Sequence, residues 1–419
     1  MSQLYILAGV RTPFTRMGSD LDALTADDLG RHVCSALLTR TGIDPGELAE
    51  VIFGCVAQPA EAANVARVIA LRAGVPKHVP AVTVHRNCAS GMEAITCAHQ
   101  RMVAGHGDLF LVGGAESMSR IPLFYSHRTA GKFGRLSRAK SLPQRLAALA
   151  SFRPRDFSPR IGLQLGLTDP FSGMIMGDTA EVLAREYGIT REQQDAFAAE
   201  SHLKALAARE QLNAEIAPVP VHGKSIASDN GIREDSTPER LARLRPIFDR
   251  QTGTVTAGNS SQITDGACAL LVGSEAAASR LGLEPLGRLV SYAYAGCDPA
   301  RMGLGPVHAI ALAKQRCGLG PQDADLVELN EAFAAQVLAV LAALRDPSRC
   351  GLDGSPGVIE EEKLNRRGGA IALGHPVGAT GARLVLTALD QLRQTGGHRA
   401  LATLCVGGGQ GAAVWLERP

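Results

Sequence analysis

Two distant stretches of this chain carry the same parts in the same order. Ala89-Ser90-Gly91 opens a helical pattern that reaches Gly105-His106, followed by a strand pattern over 108–112 and Gly113-Gly114. Ala379-Thr380-Gly381 opens a helical pattern that reaches Gly396-Gly397-His398, followed by a strand pattern over 401–406 and Gly407-Gly408. The like order and similar lengths predict a duplicated α/β unit. Helix-loop-strand units share such punctuation in general. The repeat therefore gains force only from what stands at its switch points.

At the first switch stands Cys88, in His85-Arg86-Asn87-Cys88-Ala89-Ser90-Gly91-Met92. A strand pattern over 79–85 precedes it, and Met92, Ile95, His99, Met102 and Val103 recur behind it at helical spacing. Small residues after the cysteine allow a tight turn that leaves the sulfur open. A sulfur at a helix N-terminus is expected to have a lowered thiol pKa. The bland alternative is a small buried hydrophobe.

Further groups stand at comparable places. The strand 326–329 runs into Asn330-Glu331-Ala332-Phe333 and a helix, Gly374-His375-Pro376 introduces another, and Cys405 ends the strand 401–406. Open α/β sheets gather reactive groups at such ends. Singly, each has an ordinary reading: Asn330 as a helix cap, His375-Pro376 as a turn, Cys405 as core. The glycines after Cys405 lead into another strand pattern over 412–416, with no room for the crossover helix of a dinucleotide fold.

Together these motifs resemble the thiolase family. The resemblance rests on Asn87-Cys88-Ala89-Ser90-Gly91, Asn330-Glu331-Ala332-Phe333, Gly374-His375-Pro376 with Gly378-Ala379-Thr380-Gly381, and Cys405-Val406-Gly407-Gly408-Gly409-Gln410-Gly411. Arg11-Thr12-Pro13-Phe14 and Thr256-Ala257-Gly258-Asn259-Ser260-Ser261 also fit, and the likeness spans essentially the whole chain. It implies an α/β fold of two like halves in α-β-α-β-α layers with an inserted loop domain. The expected divisions are 1–118 with 252–280, 119–251 as the loop domain over the coenzyme A site, and 281–419.

The resemblance also implies roles. Cys88 would be the nucleophile that takes the acyl group of a 3-ketoacyl-CoA as a thioester. His375 would activate Cys88 and donate to a thioester oxygen, with a water held by Asn330 completing that oxyanion hole. Backbone N–H groups of Cys88 and Gly407 would form a second hole. Cys405 would be the general acid and base, since a thiol's ordinary pKa of about 8.5 matches that of coenzyme A. Met176, Ser261, Met302, Ala332 and Phe333 would line the pantetheine and acyl channel. Gln262, where short-chain members commonly have a small glycine, leaves the local coenzyme A contact open.

The implied reaction is thiolytic cleavage of 3-ketoacyl-CoA in β-oxidation. The alternative within the class is a short-chain acetyl-CoA acetyltransferase. Complex-bound relatives often have a histidine where Asn330 stands, so the chain mixes features of both groups. A ketoacyl-synthase-type condensing enzyme would not need Cys405, and a non-catalytic lipid carrier or scaffold would lack one of the four reactive groups. No metal and no cofactor is expected, coenzyme A being a substrate. The family implies a homodimer or homotetramer.

Composition narrows the class further. The chain has 419 residues and a net charge of +2, which does not suit a nucleic-acid binder. Nine cysteines without a C-x-x-C pair predict reduced thiols. Residues 1–9 lack a signal-peptide pattern, and no apolar run reaches membrane-spanning length. A cytoplasmic enzyme is the expectation.

Within the insertion, 179–187 and 191–209 read as helices and 218–246 as largely irregular. From Ser117 to Arg155 no acidic residue occurs, while Arg120, Arg128, Lys132, Arg135, Arg138, Lys140, Arg145, Arg153 and Arg155 do. Leu142, Leu146, Leu149 and Phe152 fall at spacings of one helical face. The plain reading is a solvated basic face that attracts coenzyme A phosphates. The sharper one is a peripheral contact with the inner face of a membrane or with a hydratase/dehydrogenase subunit through 128–155. The segment, with Ala139-Lys140-Ser141 and Gln144-Arg145-Leu146, resembles thiolase subunits of fatty-acid-oxidation complexes.

Overall fold

The computed structural model of the protein describes residues 3–419; Met1 and Ser2, part of the reading of the chain's start, lie outside them. The first half contains β1 (Tyr5–Arg11), α1 (Ala26–Thr41), β2 (Glu50–Gly54), α2 (Val65–Arg72), β3 (Ala81–Val84), α3 (Ser90–Val103), β4 (Leu109–Glu116) and β5 (Thr264–Gly273). The second contains β6 (Gly287–Gly296), α4 (Gly305–Cys317), β7 (Leu326–Leu329), α5 (Ala334–Arg345), α6 (Val377–Thr395), β8 (Arg399–Val406) and β9 (Gln410–Glu417).

Strand pairing repeats between the halves. In the first, β2 and β4 are parallel, and β5 then β1 follow antiparallel. In the second, β7 and β8 are parallel, and β9 then β6 follow antiparallel. The first half adds β3, parallel to β2 at its outer edge, and a short strand Thr15–Arg16 antiparallel to the start of β5. The two groups meet through Tyr5 opposite Arg288 and Ile6 opposite Gly287. The duplication expected from the two sequence stretches is thus present in the pairing itself.

Alternation along the strands sorts the layers. On β5, Ala267, Ala269 and Leu271 pack with Leu29, Val33 and Leu37 of α1. Cys268, Leu270 and Val272 turn the other way, toward Met92 and Ile95 of α3 and Leu384 and Leu389 of α6. On β9, Ala412, Val414 and Leu416 join that same middle cluster. Ala413 and Trp415 face Val307 and Ile310 of α4 and Val337 and Val340 of α5. The result is helices, strands, helices, strands, helices, as the α-β-α-β-α reading has it. Each buried Leu or Val contributes roughly 1.5–3 kcal/mol, so a one-residue register slip in any of these strands is strongly disfavoured.

The middle helices α3 and α6 meet at their first turns. A Cβ on Gly91 would stand 2.7 Å from the backbone nitrogen of Ala382, and one on Gly381 would stand 2.6 Å from that of Met92. Glycine is required here by proximity rather than by a left-handed φ. The approach draws together the two loops that carry Cys88 and His375.

Residues Ile121–Thr168 form a compact unit of their own, while those from Asp169 onward group with the layered body. In the layered body, helices Met176–Tyr187 and Arg191–Ala207 match the expected patterns, the second entered through a Thr190/Gln193 capping box. The chain breaks after Ala207 and restarts as Arg209–Ala214. Residues 218–246, expected to be irregular, contain a hairpin of Val219–Val221 with Lys224–Ile226 and a short helix Pro238–Leu241.

The smaller unit pairs Leu123–Phe124 with Arg160–Ile161 and holds helices His127–Arg138 and Leu142–Ala150. An aromatic run links Tyr125, Phe133, Phe152 and Phe157. Lys132, counted above among the basic residues, is buried and bound to Asp156 and to the carbonyl of Ser151. Phe152 lies beyond the end of its helix and stacks within the aromatic run. The Leu142 face therefore consists of Leu142, Leu146 and Leu149.

Candidate active site

Cys88 occupies the turn between β3 and α3. Ser90 Oγ donates to the carbonyl of Asn87 at 2.7 Å and accepts the backbone N–H of Arg86 at 2.9 Å, which closes the turn. Asn87 takes a left-handed φ of 42°. Its side-chain Nδ2 donates to the carbonyl of Gly407 at 2.7 Å. The backbone N–H groups of Gly407 and of Cys88 itself are directed at the Cys88 sulfur.

The expected lowering of the Cys88 thiol pKa is not the net result. Burial pushes it up; the two N–H groups oppose this, and the charge of Glu116 adds to the rise. The two backbone donors favour the thiolate, but removal of water outweighs them.

Cys405 ends β8 inside an apolar cluster with Ala180, Val255, Met302, Ala332 and Phe333, and Met176 packs against it. Its thiol lies well above the ordinary range, first because it is buried and then because Cys88 is near. The structure therefore brings four of the five expected channel residues around Cys405. The fifth, Ser261, donates its backbone N–H to the carbonyl of Ala332 at 2.9 Å. Gln262 turns away from this cluster. Its Nε2 donates to the carbonyls of Gly231 and Ile371 at 2.9 and 3.0 Å, and its backbone carbonyl accepts the N–H of His375 at 3.0 Å.

His375 precedes α6. Its Nδ1 is 2.6 Å from Thr380 Oγ1, and that hydroxyl donates to the carbonyl of Pro376 at 3.0 Å. With the hydroxyl proton so committed, Nδ1 carries the imidazole hydrogen and Nε2 the lone pair. Nε2 is buried and has no protein partner. Burial, with a smaller push from the Arg383 charge, lowers the pKa of His375 to about 4. At neutral pH the ring is a neutral acceptor.

Asn330 stands at the end of β7, its N–H donating to the carbonyl of Thr403 at 3.0 Å. Helix α5 starts after Phe333, so Asn330 is not its cap. Both Nδ2 and Oδ1 of Asn330 are buried without a protein partner. Such groups cost about 1–3 kcal/mol each when left unpaired, and they suit a bound water or a substrate oxygen.

Two residues with no role in the sequence reading hold this arrangement. One is Thr380. The other is Glu116, whose buried carboxylate accepts N–H groups from Val56, Ala57 and Gly378 at 2.8–3.1 Å. It thereby ties the loop after β2 to the first turn of α6. Nothing in the local sequence distinguishes Glu116 from an ordinary strand-end residue. Among the described residues no group of His, Cys, Asp and Glu is arranged to hold a metal ion.

A duplicated, layered α/β body with two thiols, a neutral imidazole and an unpaired amide at its switch points defines the general class. Comparison with known proteins specifies it. Residues 4–276 match the model for "Thiolase, N-terminal domain" and 283–418 that for "Thiolase, C-terminal domain". A 3-ketoacyl-CoA thiolase of Pectobacterium atrosepticum is 42% identical, covering 99% of this chain and 96% of that protein. Another from Yersinia pestis is 41% identical, with 99% and 97% covered. Among solved structures, a Bacillus anthracis acetyl-CoA acetyltransferase has a TM-score of 0.88 at 37% identity, covering 100% of this chain and 99% of that one. Human mitochondrial 3-ketoacyl-CoA thiolase in complex with CoA has 0.87 at 35%, covering 100% and 98%. The chain belongs to the thiolase family.

Proposed function

We propose that the protein cleaves 3-ketoacyl-CoA with coenzyme A, giving acetyl-CoA and a shortened acyl-CoA, through an acyl-enzyme on Cys88. The observation that carries this reading is the pair of buried groups left without partners, His375 Nε2 and the Asn330 amide. Neutral His375 accepts the Cys88 proton, and the thiolate attacks the 3-keto carbon. The C2–C3 bond breaks, and the Cys405 thiol protonates the departing acetyl-CoA enolate. The charge on its thioester oxygen is met by protonated His375 and a water on Asn330. The Cys405 thiolate then removes the proton of the incoming coenzyme A thiol. The coenzyme A thiolate attacks the acyl-enzyme, the N–H groups of Cys88 and Gly407 receive the oxyanion, and Cys88 leaves as a thiolate that takes its proton back from His375. The steps need no metal and no redox group, and coenzyme A enters as a substrate.

The names of the Pectobacterium and Yersinia relatives favour a degradative 3-ketoacyl-CoA thiolase over a short-chain acetyltransferase. Cleavage of 3-ketoacyl-CoA esters of graded chain length, with Cys88→Ala as control, tests both points. Activity retained on long chains supports the degradative reading; activity confined to the four-carbon ester supports the other. No cleavage of any ester removes both. Among the described residues the outer edge of β3 has no strand neighbour, and a second copy pairing there would make the homodimer that the family implies. Sedimentation would find a monomer if this is wrong.

For the Ile121–Thr168 unit we propose a peripheral contact with anionic lipid or a hydratase/dehydrogenase subunit. Leu142, Leu146 and Leu149 are 70, 58 and 53% exposed on a segment with many basic residues. An exposed apolar row with basic flanks suits an interface. No helix among the described residues is long and apolar enough to cross a membrane. If the protein neither floats with anionic liposomes nor binds such a subunit, the contact is refuted.

A further inference from the structure

The loop after Cys405 is unusual in what fixes it. Gly407, Gly408 and Gly409 follow one another, the last two at φ of 87° and 77°. Three glycines in a row have little conformational preference of their own. Yet the N–H of Gly407, with that of Cys88, is directed at the Cys88 sulfur. A donor acts on a developing charge only if it is held in place beforehand.

Two hydrogen bonds hold the glycine carbonyls. The N–H of Cys297 donates to Gly409 at 2.7 Å, anchoring the far end. At the near end the anchor is Asn87 Nδ2, 2.7 Å from the carbonyl of Gly407. Asn87 is covalently joined to Cys88, so this bond sets the nucleophile and the donor relative to each other across the two halves. A second tie lies close by. Arg86 stacks on Tyr294 at 4.1 Å, pairs with Glu93 and reaches Gln410 Oε1 at 3.3 Å. Arg86 grips the start of β9, whereas Asn87 reaches the glycine that carries the donor.

The residue type fits this task closely. Apart from glycine, asparagine is among the residues that best tolerate a left-handed φ. Its amide is short enough to bond from that conformation, and it offers a donor to a carbonyl. Aspartate has the same shape but only acceptors when ionised, and glycine accepts the φ without offering any bond. We infer that Asn87 is a positioning residue, which fixes the Gly407 peptide so that its N–H addresses the sulfur and the oxyanion formed there.

The inference rests on the acyl-enzyme reading above, and its test separates the two. Asn87→Gly keeps the backbone unstrained and removes the donor; Asn87→Asp keeps the shape and reverses the polarity. Four quantities are measured on each full-length protein: kcat and KM for thiolysis of acetoacetyl-CoA, the pH midpoint of Cys88 alkylation by iodoacetamide, and the thermal midpoint. Mass spectrometry of the unmutated protein after substrate addition locates the acyl group.

The expected result in both variants is a loss of about 10²-fold in kcat, the size typical of one oxyanion donor. KM stays nearly constant, and the alkylation midpoint moves to higher pH. A purely structural role would lower the thermal midpoint and leave the alkylation midpoint unmoved. If the parent is acylated on Cys88 and Asn87→Gly retains its kcat and its alkylation profile, the inference is wrong and the mechanism stands. If the parent carries no acyl group on Cys88, the mechanism falls and the inference with it.

Discussion

The Thr380 hydroxyl lies 2.6 Å from His375 Nδ1 while donating its own hydrogen to the carbonyl of Pro376. One side chain thus selects the tautomer of the imidazole and leaves Nε2 as the acceptor. Thr380→Val would strand a buried N–H at a cost of about 1–3 kcal/mol. It would also release the ring to the other tautomer. The expected outcome is a fall in kcat of roughly tenfold to a hundredfold. Thr380→Ser should recover most of the loss. Steady-state kinetics of both variants decides it: equal activity in Thr380→Val would mean the tautomer is set by something else.

His202 offers a pH test away from the reactive groups. It is buried, accepts the N–H of Arg233 at its Nδ1 at 3.1 Å, and has a pKa of about 4 because of burial and then the Arg233 charge. A histidine held below its ordinary 6.5 stays neutral in the folded state while the unfolded chain takes up a proton. Its contribution is therefore complete above pH 6.5 and is lost as pH falls toward 4, by roughly 3 kcal/mol. Several buried carboxylates act with the opposite sign, Glu328 at about 7 among them. The useful quantity is thus the difference between parent and His202→Gln. That difference should move in favour of the variant between pH 6.5 and 4 in denaturant unfolding, and a constant difference would contradict the assignment.

Much of the layered body was legible because its signals are local. Strands β7, β8 and β9 are announced by short apolar runs, and helices α3 and α6 by helical patterns with small residues at their starts. The candidate site residues were legible because the motifs at those ends together resemble a known family's. What escaped the sequence depends on pairing between distant segments. Glu116 looks like any strand terminus until Val56 and Ala57 arrive from one loop and Gly378 from another. The thiol of Cys88 reads as acidified from its position at a helix start, and only the packed structure shows burial prevailing. Phe152 keeps helical spacing with Leu149, yet the helix ends at Ala150 and Phe152 lies in the aromatic run instead.

The crossing of α3 and α6 gives a stability prediction with a functional consequence. A methyl group at Gly91 would meet the backbone nitrogen of Ala382 at 2.7 Å and the carbonyl oxygen of Gly378 at 3.0 Å. Neither is the end of a flexible side chain, so a helix must move. Overpacking of this kind typically costs about 1–3 kcal/mol. Because Cys88 and His375 lie just before the two touching turns, Gly91→Ala should lower kcat as well as the denaturation midpoint. An activity loss without any stability loss would argue against a displaced helix.

Asn330 separates the two kinds of effect most sharply. Its Nδ2 and Oδ1 are buried and unpaired within the protein, so the side chain contributes little to the fold through hydrogen bonds. Replacing it with alanine removes two polar atoms that lack protein partners, at the expense of a small cavity. These contributions oppose each other, and the thermal midpoint should change little or rise. The water that the amide would hold for the thioester oxygen would be lost, and removal of one oxyanion donor typically lowers turnover about 10²–10³-fold. Asn330→Ala is therefore expected to be folded, to accept an acyl group on Cys88 slowly, and to turn over poorly. A variant that unfolds at markedly lower temperature while keeping its kcat would assign Asn330 to the framework and leave the first oxyanion site to His375 alone.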